Sequence, residues 1–135
     1  MNKINIMRVQ LSKNFYLDEF ECRDKSDIPL KVFSNILELV EQMQKIRDIL
    51  GKTITVNSGY RSPNYNKSIG GASRSQHILG KACDFTVKGL TPYQVADRLE
   101  DLMQGGSIIN GGLGEYDTFT HYDIRNKPSR WNNCK

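Results

Sequence analysis

Cysteine and long apolar runs are both scarce in this chain, and each scarcity excludes a class of protein. The three cysteines, Cys22, Cys83 and Cys134, are odd in number and widely spaced, so they form neither a disulfide framework nor a C-x-x-C metal or redox pair. No stretch approaches the ~18 apolar residues of a membrane span. Residues 1–10 lack the apolar core and cleavage site of a secretory signal, and we expect synthesis without a signal peptide.

Length and charge narrow the number of domains and the kinds of partner to expect. With 135 residues, 38% of them hydrophobic, it is long enough for one core and too short for two, so we expect a single domain spanning residues 1–135. Nineteen Lys and Arg against fifteen Asp and Glu give a net charge of +4, but the basic residues are scattered and match no helix-turn-helix or zinc-finger spacing. We therefore expect a monomer with no nucleic-acid partner and no membrane contact.

Hydrophobic periodicity predicts the main elements. Apolar residues at three- and four-residue spacings predict amphipathic helices over residues 30–50 and 92–104. β-branched or alternating segments predict strands at residues 53–56, 82–87 and 119–124, with a shorter strand within 107–114. Residues 57–74, rich in Ser, Gly, Asn and Arg, favour one long loop, and such loops are usually functional in small domains. The expected fold is α+β, a small antiparallel sheet packed with helices.

Histidine is also rare, and both copies lie close to a carboxylate in the sequence. His77 and His121 fall in segments predicted to be loop and strand. Imidazole nitrogen and carboxylate oxygen both bind Zn²⁺, and a catalytic zinc site needs three such protein ligands. A single histidine near an aspartate is nevertheless more often a surface or hydrogen-bonded core residue, so spacing alone leaves both interpretations open.

Three ordered motifs carry a resemblance to a known family. Residues 75–84, SQHILGKACD, match all five specified positions of S-x-H-x-x-G-x-A-x-D, while residues 58–63 read SGYRSP and residues 121–125 follow H-x-D-x-R. The chain resembles, over nearly its whole length, the zinc D-alanyl-D-alanine carboxypeptidase family, which includes dipeptidases and phage endolysins. The resemblance implies the small α+β fold of the hedgehog and DD-peptidase proteins.

The resemblance also implies roles for individual residues. It makes His77, Asp84 and His121 the ligands of a zinc ion, with Arg61 stabilising the oxyanion that water attack creates on the substrate carbonyl. It assigns substrate binding to Tyr60, Arg61 and Ser75, although a hydroxyl that braces the loop is an equally good interpretation of Ser75.

The general base is where the sequence departs from the best-known members, which carry an acid three residues before the last zinc-binding histidine. Thr118 stands at that position. Asp123 is our first candidate, because strand alternation places it on the same face as the histidine two residues earlier. The alternative is that Asp123 orients that histidine or bonds Arg61. Asp117 and Glu115 remain as further candidates for the base.

Two other residues invite chemical interpretations. Alternation along the strand places Cys83 on the face opposite Asp84, so we expect an inert core thiol rather than a ligand or nucleophile. Trp131 suits either stacking on a sugar or closing the core, and we expect it in the core.

These observations predict a zinc-dependent metallopeptidase that hydrolyses a peptide bond in bacterial peptidoglycan stem peptides, as a carboxypeptidase or an endopeptidase. A competing hypothesis, supported by Thr118, is a non-catalytic wall-binding or virion structural module that keeps the fold and the metal. We expect action at the bacterial cell wall, after release or as a phage component.

Overall fold

The computed structural model describes residues 8–135, which form a hairpin, a five-stranded sheet and helices. In chain order the elements are β1 (Gln10–Ser12), β2 (Phe15–Tyr16), a 3₁₀ helix (Leu17–Phe20), α1 (Leu30–Leu50), β3 (Ile54–Ser58), α2 (Pro63–Ser68), β4 (Ala82–Val87), α3 (Pro92–Gln104), β5 (Gly112–Glu115), β6 (Thr120–Asp123) and β7 (Ser129–Asn132). The predicted α+β class is confirmed. Among the residues described, no helix is both long and apolar enough to cross a membrane.

The two predicted helices are present with the predicted bounds. Helix α1 ends where Gly51 adopts the left-handed conformation at φ +62° and donates its N–H to the carbonyl of Arg47. Helix α3 begins with a capping box, in which Thr91 and Gln94 each accept a hydrogen bond from the other's backbone N–H. The apolar stripes of both helices are buried in one hydrophobic core.

The sheet is mixed, which corrects the antiparallel arrangement expected from the sequence. Its strand order is β3-β4-β6-β5-β7, and the first three pairings are antiparallel, but β7 pairs parallel with β5. Strand β7 has four residues at the sheet edge and alternates between half-buried and exposed. A strand this short carries no hydrophobic run, so its pairing is decided by the tertiary structure rather than by local pattern.

The predicted long loop is also corrected, because it contains helix α2. Ser62 caps this helix by accepting the N–H of Tyr65 at 3.1 Å, and Pro63 occupies its first turn, where a missing N–H costs nothing. Six residues are too few to produce a recognisable helical period in the sequence.

The two faces of the sheet have different chemistry. Cys83 and Tyr122 on adjacent strands are fully buried in the core, and burial raises the pKa of the Cys83 thiol well above its ordinary value. The prediction of a core thiol is therefore confirmed. The next residue on each strand, Asp84 and Asp123, points to the opposite face because side chains alternate along a strand. That face carries the polar site.

Candidate metal centre

Two adjacent strands and the turn before them bring three metal-binding side chains together. The antiparallel register places Asp84 on β4 directly opposite His121 on β6. His77 lies in the turn that leads into β4, and one donor atom from each of the three residues lies within 4.8 Å of the others. All three are buried, with 3% exposure for His77 and 7% for each of the other two. The structure thus brings together the ligand set that the motif implied.

Each imidazole is oriented by an oxygen outside this set. His77 Nδ1 donates to the carbonyl of Gly59 at 2.7 Å, and His121 Nε2 donates to Asp123 Oδ2 at 2.7 Å. The remaining nitrogens, His77 Nε2 and His121 Nδ1, face Asp84 Oδ1 at 3.1 and 2.8 Å. Because an acceptor holds a proton on the outer nitrogen of each ring, the inner nitrogen is the one that can bind a metal, once it gives up any proton that it donates to Asp84.

This arrangement fits a zinc ion. Two imidazole nitrogens and one carboxylate are a donor set that zinc prefers, and three protein ligands leave a fourth position for water or substrate. Zinc-binding histidines almost always donate a hydrogen bond from their second ring nitrogen to a carboxylate or a backbone carbonyl, as both rings do here. The residues present therefore satisfy the ligand count, the ligand chemistry and the outer hydrogen bonds.

The electrostatics of the site favour an ionised carboxylate. Burial alone would raise the pKa of Asp84, but hydrogen bonds from His121 and His77 outweigh it and hold that pKa well below its ordinary value of 3.8. Burial likewise works to lower the pKa of His121, and hydrogen bonds to Asp123 and Asp84 outweigh it, so the pKa is raised above 6.5. Zinc must therefore compete with a proton on His121.

Arg61 lies beside the same carboxylate. Its Nη2 donates to Asp84 Oδ2 at 3.3 Å, its Nε to Ser58 Oγ at 3.2 Å and its Nη1 to Asn66 Oδ1 at 3.3 Å. Its backbone N–H donates to the carbonyl of His77, which ties the SGYRSP segment to the turn of the first histidine. The guanidinium is therefore held in a defined orientation at the wall of the site.

Asp123 is the most completely bonded side chain in the site. It has no exposed surface, and its Oδ1 accepts the N–H of Gly112 at 2.9 Å as well as the backbone N–H and Nε of Arg125. Its Oδ2 accepts His121 Nε2 and Arg125 Nη2. Because both oxygens accept hydrogen bonds from protein donors, this carboxylate has the environment of a group that orients the His121 ring.

A cavity of about 540 Å³ opens over the three donors. Trp131 forms part of its wall, with its ring centroid 4.9 Å from that of His121 and its Nε1 donating to the hydroxyl of Tyr116. Tyr116 stacks on Phe119, which also lines the cavity. The expectation that Trp131 closes the core is wrong. Strand β7 carries it over Gly114, where a Cβ would lie 2.4 Å from the indole, and so presents the ring to the cavity.

The other predicted site residues differ in whether they line this cavity. Ser75 lines the cavity and accepts the N–H of His77 at 3.1 Å, so its hydroxyl braces the turn. Tyr60 is 4% exposed and lines a neighbouring cavity, which shares Arg61 with the first. Asp117 is exposed and outside the cavity, where its carboxylate accepts the N–H of Lys135.

Sequence reasoning missed several contributors. Asn66 on α2 holds the guanidinium of Arg61, and Tyr116 and Phe119 form the aromatic wall. Asn66 lay within the segment expected to be a loop, where no local pattern distinguishes it from its neighbours. Tyr116 and Phe119 flank a turn close to His121, and their spacing alone does not indicate that they face a cavity.

Comparison with known proteins gives matches that agree with this site. The chain is 34% identical over 113 residues to the probable peptidoglycan L,D-endopeptidase MepK of Haemophilus influenzae, a match covering 78% of this chain and 58% of the relative. It is 44% identical over 52 residues to the zinc D-Ala-D-Ala carboxypeptidase of Streptomyces albus G, covering 38% of this chain and 20% of that protein. The chain thus spans less than two thirds of the length of each relative.

A family model described as Peptidase M15 matches residues 13–123. That range contains α1, the SGYRSP segment, the turn of His77 and strands β3 to β6 with Asp84 and His121. The match therefore includes every residue of the candidate metal centre, and the chain belongs to the Peptidase M15 family.

Proposed function

We propose that this protein is a zinc-dependent peptidase that hydrolyses a peptide bond in bacterial peptidoglycan stem peptides. The observation that carries the proposal is the buried His77, Asp84 and His121 set in the wall of a cavity of about 540 Å³, a size typical of ligand-binding sites. Similarity to a zinc D-Ala-D-Ala carboxypeptidase and to a probable peptidoglycan L,D-endopeptidase supports the metal and the substrate class.

The three donors would hold the ion. When bound, zinc supplies Lewis acidity toward a carbonyl oxygen and lowers the pKa of a water molecule. Arg61 lines the same cavity, with a side chain 16% exposed, and its guanidinium is fixed by Ser58, Asn66 and Asp84. A prepositioned cation at this place stabilises the negative charge that develops on the carbonyl oxygen during water attack. We assign this role to Arg61.

For Asp123 we propose a positioning role in preference to proton transfer. The complete burial of its carboxylate and its hydrogen bonds to Gly112, His121 and Arg125 support this assignment. A general base needs hydrogen-bond reach to the attacking water, and the oxygens of Asp123 are already occupied by protein donors. Asp117 lies outside the cavity, and Asp84 is the sole carboxylate that lines it among residues 8–135.

That scarcity of carboxylates favours one competing function, a wall-binding or virion module without turnover. Thr118, at the position where better-known members carry an acid, is exposed and does not line the cavity. In this alternative the fold and its metal are kept, and the protein binds the wall without cleaving stem peptides. We propose action at the bacterial cell wall in either case, as a released lysin or a phage component. The candidate ligands and Arg61 all come from one chain, which supports a functional monomer.

The experiment is mass spectrometry of stem peptides incubated with protein loaded with one equivalent of zinc. The peptides are one ending in D-Ala-D-Ala, one carrying an L,D-linkage and one carrying the L-Ala-γ-D-Glu bond. Cleavage of any of them, abolished by a chelator and by His77→Ala, is the expected result. If no peptide is cleaved although zinc is bound, the peptidase proposal fails. If the protein then still bound purified walls, and His77→Ala left that binding unchanged, the wall-binding module without turnover would be established.

A further inference from the structure

Arginine dominates the charge of the cavity above the metal centre. Arg61, Arg74 and Arg125 line it, against the single carboxylate of Asp84. Arg61 pairs with that carboxylate and Arg125 pairs with Asp123, which does not line the cavity, so the guanidinium of Arg74 is left without an anionic partner in the described part of the chain. A divalent cation on the three donors adds further positive charge. Like charges collected around one cavity repel each other, and an anionic ligand relieves that repulsion.

Arg125 is held rigidly with one nitrogen left over. Its Nε and Nη2 donate to Asp123 at 2.8 Å each, and its guanidinium carbon lies 5.3 Å from the ring centroid of Trp131. Nη1 takes part in no hydrogen bond within residues 8–135, and the side chain is 31% exposed. The guanidinium is therefore held in place at the cavity wall, and a ligand that used the remaining nitrogen would cost little further side-chain entropy.

Arg74 reaches the same cavity from the turn that carries the first histidine. It precedes His77 by three residues, and its side chain is exposed, with no hydrogen bond or ion pair inside the described part of the chain. The turn itself is fixed, because the N–H of Ser75 donates to the carbonyl of Ala72 at 3.1 Å. A cation on an anchored turn, without an internal partner, is available to a ligand.

We propose that Arg74 and the free Nη1 of Arg125 form a subsite for a carboxylate group of the substrate, in the same cavity as the metal centre. The inference rests on the proposed function, because stem peptides carry carboxylates both at the terminal D-alanine and on the α-carbon of γ-linked D-glutamate. Guanidinium groups match the planar geometry of a carboxylate and form short charge-assisted hydrogen bonds with it. The subsite selects stem peptides whose carboxylate is free over those whose carboxylate is amidated.

The test measures binding separately from cleavage. Zinc-loaded protein is titrated with two matched pairs of ligands and followed by NMR chemical shifts. The first pair is Nα-acetyl-D-alanine and its carboxamide, and the second is L-Ala-D-Glu whose γ-carboxyl is capped as an amide and whose α-carboxyl is either free or amidated. Arg74→Gln removes one cation of the subsite. Arg98→Gln is the matched control, since Arg98 is an exposed arginine of α3 that does not line the cavity.

At least one free acid should bind more tightly than its amide. Arg74→Gln should weaken the binding of that acid by about 10- to 100-fold, which corresponds to the loss of one charge-assisted hydrogen bond. Arg74→Gln should leave the affinity for the amide unchanged, and Arg98→Gln should leave the affinity for the free acid unchanged. The pair that shows the preference identifies which carboxylate is bound. Equal affinity within both pairs, a preference that survives Arg74→Gln, or an equal loss in Arg98→Gln would overturn the proposal. Acid preference without any peptide cleavage would sink the peptidase assignment and leave the subsite standing.

Discussion

Replacing Asp123 by asparagine separates an orienting carboxylate from a general base. The amide has nearly the same shape but presents one acceptor oxygen and one donor nitrogen. With the nitrogen at the Oδ2 position, it faces the donors His121 Nε2 and Arg125 Nη2. The imidazole then has to move its proton to Nδ1, the nitrogen that faces Asp84. With the nitrogen at the Oδ1 position, it faces the N–H of Gly112 and the Nε of Arg125.

In either orientation, the NH₂ group of the asparagine therefore faces buried N–H donors, which lose their hydrogen-bond acceptor. Loss of an outer hydrogen-bond partner of a metal-binding histidine typically costs about 10- to 100-fold in metal affinity, or about 1.4–2.8 kcal/mol. A buried donor left unsatisfied costs a further ~1–3 kcal/mol in the free energy of unfolding. We expect Asp123→Asn to bind zinc at least ~10-fold more weakly than the parent and to unfold at lower denaturant concentration.

Zinc affinity is measured by competition with a chromogenic chelator, and unfolding by denaturant titration with and without zinc. Asp117→Asn is the matched control, because that exposed carboxylate lies outside the cavity and accepts the backbone N–H of Lys135, so both properties should stay unchanged. If Asp123→Asn binds zinc as tightly as the parent yet hydrolyses stem peptides slowly, the positioning role is refuted. Asp123 would then be the proton-transfer residue that the sequence first indicated.

Further predictions concern packing, protons and thiols. Gly112→Ala places a Cβ 2.2 Å from Asp123 Oδ2, so we expect ~1–3 kcal/mol lower stability and weaker zinc binding; parental stability in a denaturant titration would contradict this. Because the pKa of His121 is raised above 6.5 in the zinc-free protein, protons compete with zinc already above that pH. Zinc affinity should therefore fall steadily as pH is lowered from about 7.5 to 5, and a pH-independent affinity would refute it. In native protein an aromatic disulfide reagent should modify exposed Cys134 at once and buried Cys83 only on unfolding; rapid reaction of both thiols would disprove the burial.

Local physical chemistry in the sequence was enough to predict the two long helices, α1 and α3. The apolar period of α1 and the capping residues of α3 act over one or two turns, so their bounds follow without knowledge of the fold. The same holds for Cys83 and Asp84, whose opposite orientations follow from strand alternation. The likeness of the motifs to a known family then implied which histidines and which aspartate share a metal.

Only the tertiary structure decided what surrounds those donors. Trp131 reaches the cavity because β7 pairs parallel with β5 over Gly114, and Asn66 reaches Arg61 because a six-residue helix turns it inward. The role of Asp123 was open in the sequence for the same reason, since its position along the strand is compatible with either a base or an orienting group. Its burial and its bond to Gly112 arise from segments that meet only in the folded chain. Sequence patterns report contacts within one element, whereas hydrogen bonding and burial at the site depend on how distant elements pack.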